Sequence, residues 1–281
     1  MSGFVGDVIK AWTKYRSSYL AGVKNTLILA FVGTVFGCLI GFLCGILQTI
    51  PYTKNDNAFK KGFLKLIRGI IRVYVELFRG TPMILQAVFF YYGLPYVTGG
   101  SMKWSSVWLC AILVVSINTG AYMAETVRGG ILSVDKGQTE GAKAIGMNHW
   151  QTMRYVIMPQ VLKNILPQIG NNYLINVKDT SVMFIITFSE FFAVHRAVTG
   201  ATYMYFPSAV IEMIGYLCMT LTASVILRFW EKHLAGSSSY SLATDDQLAP
   251  TAGMLNSPLK GSNFDEHHKE GEQHGTKKDG G

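Results

Sequence analysis

NTLILAFVGTVFGCLIGFLCGILQTI, the sequence of residues 25–50, contains no Asp, Glu, Lys or Arg. A helix needs about 20 apolar residues to cross the hydrocarbon core of a bilayer, so this run is long enough to span it. The run is longer than the roughly 7–15-residue apolar core of a secretory signal peptide, and no A-x-A cleavage site follows it. The stretch therefore predicts a retained transmembrane helix, and the chain is interpreted as an integral membrane protein.

Four glycines recur within this stretch at a strict spacing of four residues: Gly33, Gly37, Gly41 and Gly45. The spacing places them on one face of a helix, where the absence of side chains lets a second helix approach closely. The alternative interpretation is that glycine is simply frequent in membrane helices. We interpret the common register of all four as a packing face. The sequence does not identify the helix that packs there.

The remaining chain contains further apolar stretches. It is 49% hydrophobic and 15% charged, whereas a soluble domain carries about 25% charged residues. The apolar stretches predict five spans, at residues 25–47, 83–96, 104–123, 164–190 and 207–227. Residues 63–79 instead combine basic and apolar side chains at three- and four-residue steps, the pattern of an amphipathic helix at a membrane interface. The predicted fold is all-α: an integral membrane helical bundle of about five transmembrane helices.

Composition and motifs exclude several classes of function. The net charge is +8, but the basic residues cluster beside apolar spans and no zinc-finger or RNP-type motif occurs, so no nucleic-acid partner is predicted. The four cysteines lie in apolar segments without a CxxC pair, so no metal site is predicted. The sequence has no GxxxxGK[ST] loop and no Ser/His/Asp or Cys/His constellation. We therefore expect neither ATP binding by this chain nor an enzymatic activity.

Basic residues also predict the topology. The loops after the first and third predicted spans carry seven and five Lys or Arg residues, whereas the alternate loops carry only Lys103 and Arg196. By the positive-inside rule the two basic loops and the C-terminus are cytoplasmic, and the N-terminus is outside. Four basic residues before residue 25 oppose this orientation. We divide the chain into an extracellular N-terminal segment (1–24), a membrane domain (25–234) and a disordered cytoplasmic tail (235–281).

The loop between the third and fourth predicted spans has a pattern suited to docking. Glu140 and Ala142 precede Gly146, and Pro159 follows 13 residues after that glycine. We interpret this as a short helix at residues 138–145, a turn at the glycine, and a second helix that reaches the membrane. A short helix that projects from a membrane domain is suited to binding in a groove of a partner protein.

At these positions the chain resembles the ABC importer permeases, whose EAA loop reads EAA, three residues, G, nine residues, I, one residue, LP. Gly141, Val156 and Met158 depart from that pattern. Three further stretches resemble signatures of the polar amino acid branch of that family. They are Glu76-Leu77-Phe78-Arg79-Gly80-Thr81-Pro82 (ExxRGTP), residues 122–131 with Glu125 and Arg128 (YxAExxRGGI), and Lys178-Asp179-Thr180-Ser181 (KDTS).

The resemblance covers residues 22–234 and implies a type I ABC importer transmembrane domain with an outward N-terminus in a bacterial plasma membrane. It implies three protein partners: an ABC ATPase subunit that binds the ATP and seats the EAA loop, a second permease chain, identical or different, and an extracellular solute-binding protein. The implied function is ATP-driven import of polar amino acids, and no cofactor is expected in this chain.

Polar residues of the fourth predicted span suggest a substrate path. Steps of four, four and three residues place on one helix face Gln168, Asn172, Asn176 and Asp179. We expect Pro167 and Gly170 to break the helix and free backbone groups for a ligand. Asp179 is predicted to accept hydrogen bonds from the substrate's ammonium group, and Asn rather than a carboxylate at positions 172 and 176 favours a neutral amide such as glutamine.

Alternatives to this interpretation remain open at the level of the sequence. The same polar face can bond the span to a neighbouring helix. For the whole chain, the alternatives are an ABC importer permease for another small polar or ionic solute, and a passive channel. The docking pattern disfavours a channel, because a pore does not need a site for an ATPase.

Overall fold

The computed structural model describes residues 3–52 and 57–235, and no strand occurs in these ranges. The predicted all-α fold is therefore confirmed. The longer helices are α1 (Phe4–Thr49), α2 (Ala58–Gly80), α3 (Met83–Val97), α4 (Val107–Ser133), α7 (Met158–Asp179), α8 (Phe191–Thr202) and α9 (Tyr205–Ala235). The shorter elements are α5 (Lys136–Ala144), α6 (His149–Gln151), a π-helical turn (Thr152–Ile157) and a 3-10 helix (Thr180–Ile186).

The helices that correspond to the five predicted spans differ in length. By length and composition, α1, α4 and α9 can each cross a membrane, and a fourth span results only if His149–Ile186 and α8, bent by 50°, count as one. The second predicted span coincides with α3, which has 15 residues. That length is about 22 Å, short of the roughly 30 Å hydrocarbon core. Each of the five predicted apolar segments contains helix, and among the described residues three or four of them are long and apolar enough, by length and composition alone, to cross a membrane.

The first helix begins earlier than the predicted domain boundary. α1 runs without a break from Phe4, so residues 4–24 continue the helix of the first predicted span. Their buried side chains, Ala11 and Tyr19, belong to a hydrophobic cluster with Phe191 of α8 and Ile211 of α9. The N-terminal segment is thus packed on the helical bundle. The predicted disordered tail lies outside the described residues, apart from Ala235.

The glycine face of α1 packs against α4. A Cβ atom built on Gly33, Gly37, Gly41 or Gly45 would lie 2.2–2.6 Å from a side-chain atom of α4. The facing residues, in the same order, are Val115, Thr119, Met123 and Val127. Real carbon pairs approach to about 3.5–4.0 Å, so α4 occupies the space that larger side chains on α1 would need.

α2 is the amphipathic helix that its charge pattern predicts. It buries Leu64, Ile71 and Val75 against the bundle and exposes both basic and apolar side chains. It ends at Gly80, because Thr81 is extended and Pro82 precedes α3.

The break expected at Pro167 and Gly170 is wrong. α7 continues through both residues, and the helix changes only after Asp179, where the 3-10 helix begins. Thr187 then adopts a left-handed conformation with φ 63°, and α8 starts at Phe191. Proline inside a helix costs about 3 kcal/mol or more. Here the packing of buried α7 residues on both sides of the proline, such as Ile165 and Val177, keeps the helix intact.

Candidate functional site

The segment between α4 and α7 is a short helix closed by a glycine. At the end of α5 the amide of Met147 donates to the carbonyl of Ala142 (3.0 Å), and the amide of Gly146 donates to the carbonyl of Lys143 (3.0 Å). Gly146 has φ +82°, in the left-handed region that glycine adopts most readily. The glycine of the EAA-like pattern therefore ends α5 and turns the chain.

A second helix begins immediately after this turn. The Asn148 side chain accepts a hydrogen bond from the Gln151 amide, and the Gln151 side chain accepts one from the Asn148 amide, both at 2.9 Å. This reciprocal cap starts α6, which passes through the π-helical turn into α7 with Pro159 in its first turn. We call residues 136–157 the coupling segment.

The coupling segment is anchored on one side and exposed on the other. Ala142 is buried, and Met153 and Ile157 belong to a hydrophobic cluster with residues of α4 and α7. The carboxylate-bearing Glu140 is exposed, while Ile145 and Trp150 are 76% and 74% exposed. Large exposed apolar side chains of this kind mark surfaces for partner proteins. The segment thus presents a surface of charged and apolar side chains.

His149 contributes little positive charge to this surface. Partial burial lowers the pKa of its imidazole, and the nearby Lys143 and Lys60 lower it further. Because an ordinary histidine pKa is about 6.5, the ring is mainly neutral at pH 7.

The ExxRGTP-like stretch forms the junction between α2 and α3. Two amide side chains that the sequence analysis did not single out hold this junction. Gln86 donates to the carbonyls of Phe78 and Thr81, both at 3.0 Å, and Asn118 of α4 donates to the Phe78 carbonyl (3.1 Å) and to Gln86 Oε1 (3.1 Å). They satisfy carbonyls that the helix end leaves without partners. The available signal was a polar residue within an apolar run at each of the two positions.

Four charged residues of two motif-like stretches lie around one groove. Glu76 and Arg79 of α2 and Glu125 and Arg128 of α4 line a polar cavity of about 660 Å³, which we call the basic groove. Arg128 donates to both carboxylate oxygens of Glu125, at 2.8 and 3.3 Å. Arg79 stacks over the ring of Tyr122, 5.3 Å from its centroid. The fold thus joins two stretches that are separated by about 40 residues in the sequence.

Two residues of the predicted substrate face are used in helix packing. The Asn176 amide donates to the hydroxyls of Thr34 (2.8 Å) and Thr119 (2.9 Å), which connects α7 to α1 and α4. Asn172 is buried and donates to the Gln168 carbonyl (2.9 Å) and to Met123 Sδ (3.2 Å). For these two asparagines the geometry favours the alternative, a bond to neighbouring helices.

The other two predicted path residues, Gln168 and Asp179, are exposed, as is Lys178. Lys178 lines a second cavity of about 630 Å³ between α7, α8 and α9, together with Ser181 and Glu212. The face is therefore divided: its middle is buried between helices, and its two ends remain accessible.

A buried carboxylate that the sequence analysis left aside fixes the start of α8. Glu190 is fully buried and accepts hydrogen bonds from the amides of Phe192 (2.7 Å) and Ala193 (2.6 Å) and from the Tyr216 hydroxyl (3.0 Å). An acidic residue directly before an apolar run is the sequence signal for such a helix cap.

A second buried polar cluster joins α1, α8 and α9. His195 Nδ1 lies 2.9 Å from Ser208 Oγ and 3.5 Å from a Glu212 carboxylate oxygen. The Tyr19 hydroxyl lies 2.7 Å from the same serine oxygen. These contacts fix α8 and the start of α9 on the N-terminal part of α1.

Residues 58–237 match the protein family described as binding-protein-dependent transport system inner membrane component. A similar curated protein is the glutamine transport system permease protein GlnP of Escherichia coli strain K12. It is 32% identical over 216 residues, which are 76% of this chain and 92% of the relative. The nopaline transport system permease protein NocM of Agrobacterium fabrum strain C58 is 32% identical over 219 residues, covering 75% and 86% of the two chains.

The fold is also similar to solved transporter structures. A crystal structure of an amino acid ABC transporter with histidines has a TM-score of 0.68 and 32% sequence identity, and covers 79% of this chain and 96% of that chain. An inward-facing MetNI methionine ABC transporter has a TM-score of 0.58 at 20% identity, covering 76% and 97% of the two chains. The second likeness concerns the fold alone.

Proposed function

Since the chain belongs to the family of binding-protein-dependent transport system inner membrane components, we propose that it is the permease subunit of an ABC importer for polar amino acids, with glutamine as the preferred substrate. The related proteins named for glutamine and amino-acid transport support the substrate class.

The coupling segment is the observation that carries this proposal. A transport permease that is driven by a separate ATPase needs a rigid element outside the membrane, because a flexible loop would not transmit a displacement. The Gly146 turn and the Asn148 cap fix this element, and the buried Met153 connects it to α4 and α7. Glu140 and Trp150 are exposed for docking on the ATPase.

The complete importer would contain two permease chains, two ATPase subunits and an extracellular solute-binding protein in the plasma membrane. ATP binds to the ATPase, and this chain supplies movement rather than chemistry. The two basic loops predict that the coupling segment faces the cytoplasm and the N-terminus faces outward.

Within this permease we propose that Asp179 and Gln168 contact the substrate on its route. Both are exposed at the ends of the polar face of α7, whereas the asparagines between them hold helices together. Asp179 is suited to accept hydrogen bonds from an ammonium group.

The first test is uptake of radiolabelled glutamine into proteoliposomes that contain the chain, its ATPase and its binding protein. We expect uptake to require ATP and to be lost in Glu140→Ala. The matched control is Gln138→Ala, an exposed uncharged position on the same helix. ATP-independent uptake would identify a passive channel and refute the proposal, and equal uptake by Glu140→Ala would refute the role of the coupling segment.

The second test addresses the substrate route. Asp179→Asn should reduce uptake while the complex still assembles, and an excess of unlabelled glutamine should compete better than other solutes. If Asp179→Asn transports as the native protein does, the residue has no role in substrate binding. If another small polar or ionic solute competes better, the substrate assignment is wrong and the permease assignment stands.

A further inference from the structure

The basic groove carries more positive charge than its own carboxylates neutralise. Its described lining contains five basic and two acidic side chains, an excess of three positive charges. Besides the four motif residues, the charged groups are Lys65, Arg68 and Arg72 of α2. The Glu125 carboxylate is already held by two hydrogen bonds from Arg128.

Contacts with neighbouring residues hold the positively charged side chain of Arg68 in place at the groove. Its guanidinium lies over the ring of Tyr52, 4.8 Å from the centroid, and donates to the carbonyl of Ile50. Its Nε atom is buried and has no hydrogen-bond partner among residues 3–52 and 57–235. A buried donor without a partner is destabilising, because it has lost its hydrogen bonds to water. A bound anion on the groove would relieve both the charge excess and this donor.

α2 also exposes apolar side chains that do not line the groove, and these indicate which anion fits. Phe63, Leu66, Ile70 and Val73 expose 54–67% of their surface. In a membrane protein such side chains contact acyl chains, while the basic residues on the same helix reach the headgroup region. A ligand with a phosphate and attached acyl chains matches both faces, whereas a soluble anion matches only the groove.

We propose that the basic groove binds the phosphate headgroup of an anionic phospholipid of the cytoplasmic leaflet. Basic pockets between membrane helices on the cytoplasmic side are suited to such headgroups. The inference uses the orientation proposed above but does not depend on the substrate or on coupling to the ATPase. The lipid then neutralises the junction of α1, α2 and α4.

Native mass spectrometry of the permease–ATPase complex in phosphatidylglycerol and in phosphatidylcholine tests this. We expect retained phosphatidylglycerol on the native complex and about 30-fold less on Arg68→Gln/Arg72→Gln, since each basic residue contributes to anionic lipid binding. The control is Lys60→Gln/Lys61→Gln, which removes the same charge from α2 outside the groove lining. It should retain the lipid.

The charge-conserving variant Arg68→Lys/Arg72→Lys separates binding from folding, because lysine still binds phosphate as a point charge. It should recover most of the lipid. Equal retention by the native and Gln variants, or equal loss in the Lys60/Lys61 control, would overturn the proposal. Titration with inorganic phosphate distinguishes the source: saturation by free phosphate without lipid retention would also overturn it. Uptake of glutamine is measured in proteoliposomes made from the same variants. A loss of lipid binding can then be told apart from a loss of transport.

Discussion

Replacing Gly41 by alanine adds one methyl group to the tightest point between α1 and α4. The new Cβ would lie 2.2 Å from Met123 Cβ and 2.8 Å from the Met123 carbonyl carbon. Carbon atoms not bonded to each other prefer about 3.5–4.0 Å, so the helices must separate by more than 1 Å at this point. The backbone carbon cannot move away as a flexible side chain would.

The expected change in the free energy of unfolding follows from two opposing effects. Overpacking a close contact costs about 1–3 kcal/mol, while alanine is favoured over glycine in a helix by up to about 1 kcal/mol. The net destabilisation is therefore about 1–2 kcal/mol. For a domain of this size that corresponds to a fall in Tm of roughly 2–8 °C.

Thermal unfolding of the purified chain with a thiol-reactive fluorophore measures this shift on a Cys218→Ser background, because Cys110 is buried and becomes reactive on unfolding, whereas Cys218 is already exposed. The matched control is Gly69→Ala in α2, where an added Cβ meets nothing within 4 Å. The control should melt at the native temperature or slightly above it. If Gly41→Ala melts with the Gly69→Ala control, α1 and α4 do not pack through glycine, and the reasoning fails.

Three further changes have defined outcomes. Asn176→Ala removes the partner of two buried hydroxyls and should lower the Tm in the same assay, at a cost of about 1–3 kcal/mol; an unchanged Tm would show that the hydroxyls rebond. Gly146→Ala forces alanine into φ +82°, costs about 1–2 kcal/mol, and should weaken ATPase binding in a pull-down. The control is Gly141→Ala, where an added Cβ meets nothing within 4 Å, and this variant should bind the ATPase normally. Equal ATPase binding by the two variants would contradict the role given to the Gly146 turn. Glu190→Ala removes the acceptor of three hydrogen bonds and should melt lower than Tyr216→Phe, which removes one donor; the reverse order would argue against the cap.

The sequence predicted those features that depend on local pattern. Uninterrupted apolar runs predicted the helices, and the spacing of Glu140 and Gly146 predicted a short helix and a turn, found as α5 and the residues after it. The glycine spacing predicted a packing face but not its partner, because any helix can use such a face. Only the three-dimensional arrangement identifies α4.

Other features depend on contacts between distant residues, which periodicity does not reveal. Asn176 has the same place on a helical wheel whether it faces a substrate or Thr34, which is 142 residues away in sequence. Pro167 predicts a helix break locally, but packing of α7 outweighs that preference. The sequence shows Glu190 and His195 as isolated polar residues near apolar stretches. It does not show that they form hydrogen bonds with residues of α9.

The unbroken length of α1 has a mechanical consequence. Its 46 residues form a rod of about 69 Å, which contacts α4 through the glycines and α8 and α9 near its other end. Phe4 lies 37 residues, or about 55 Å, from Gly41 along this rod. A tilt of about 5° with its fulcrum at Gly41 therefore swings Phe4 through about 5 Å. Because α8 and the start of α9 are hydrogen-bonded to the N-terminal part of α1, such a tilt would have to carry both helices with it.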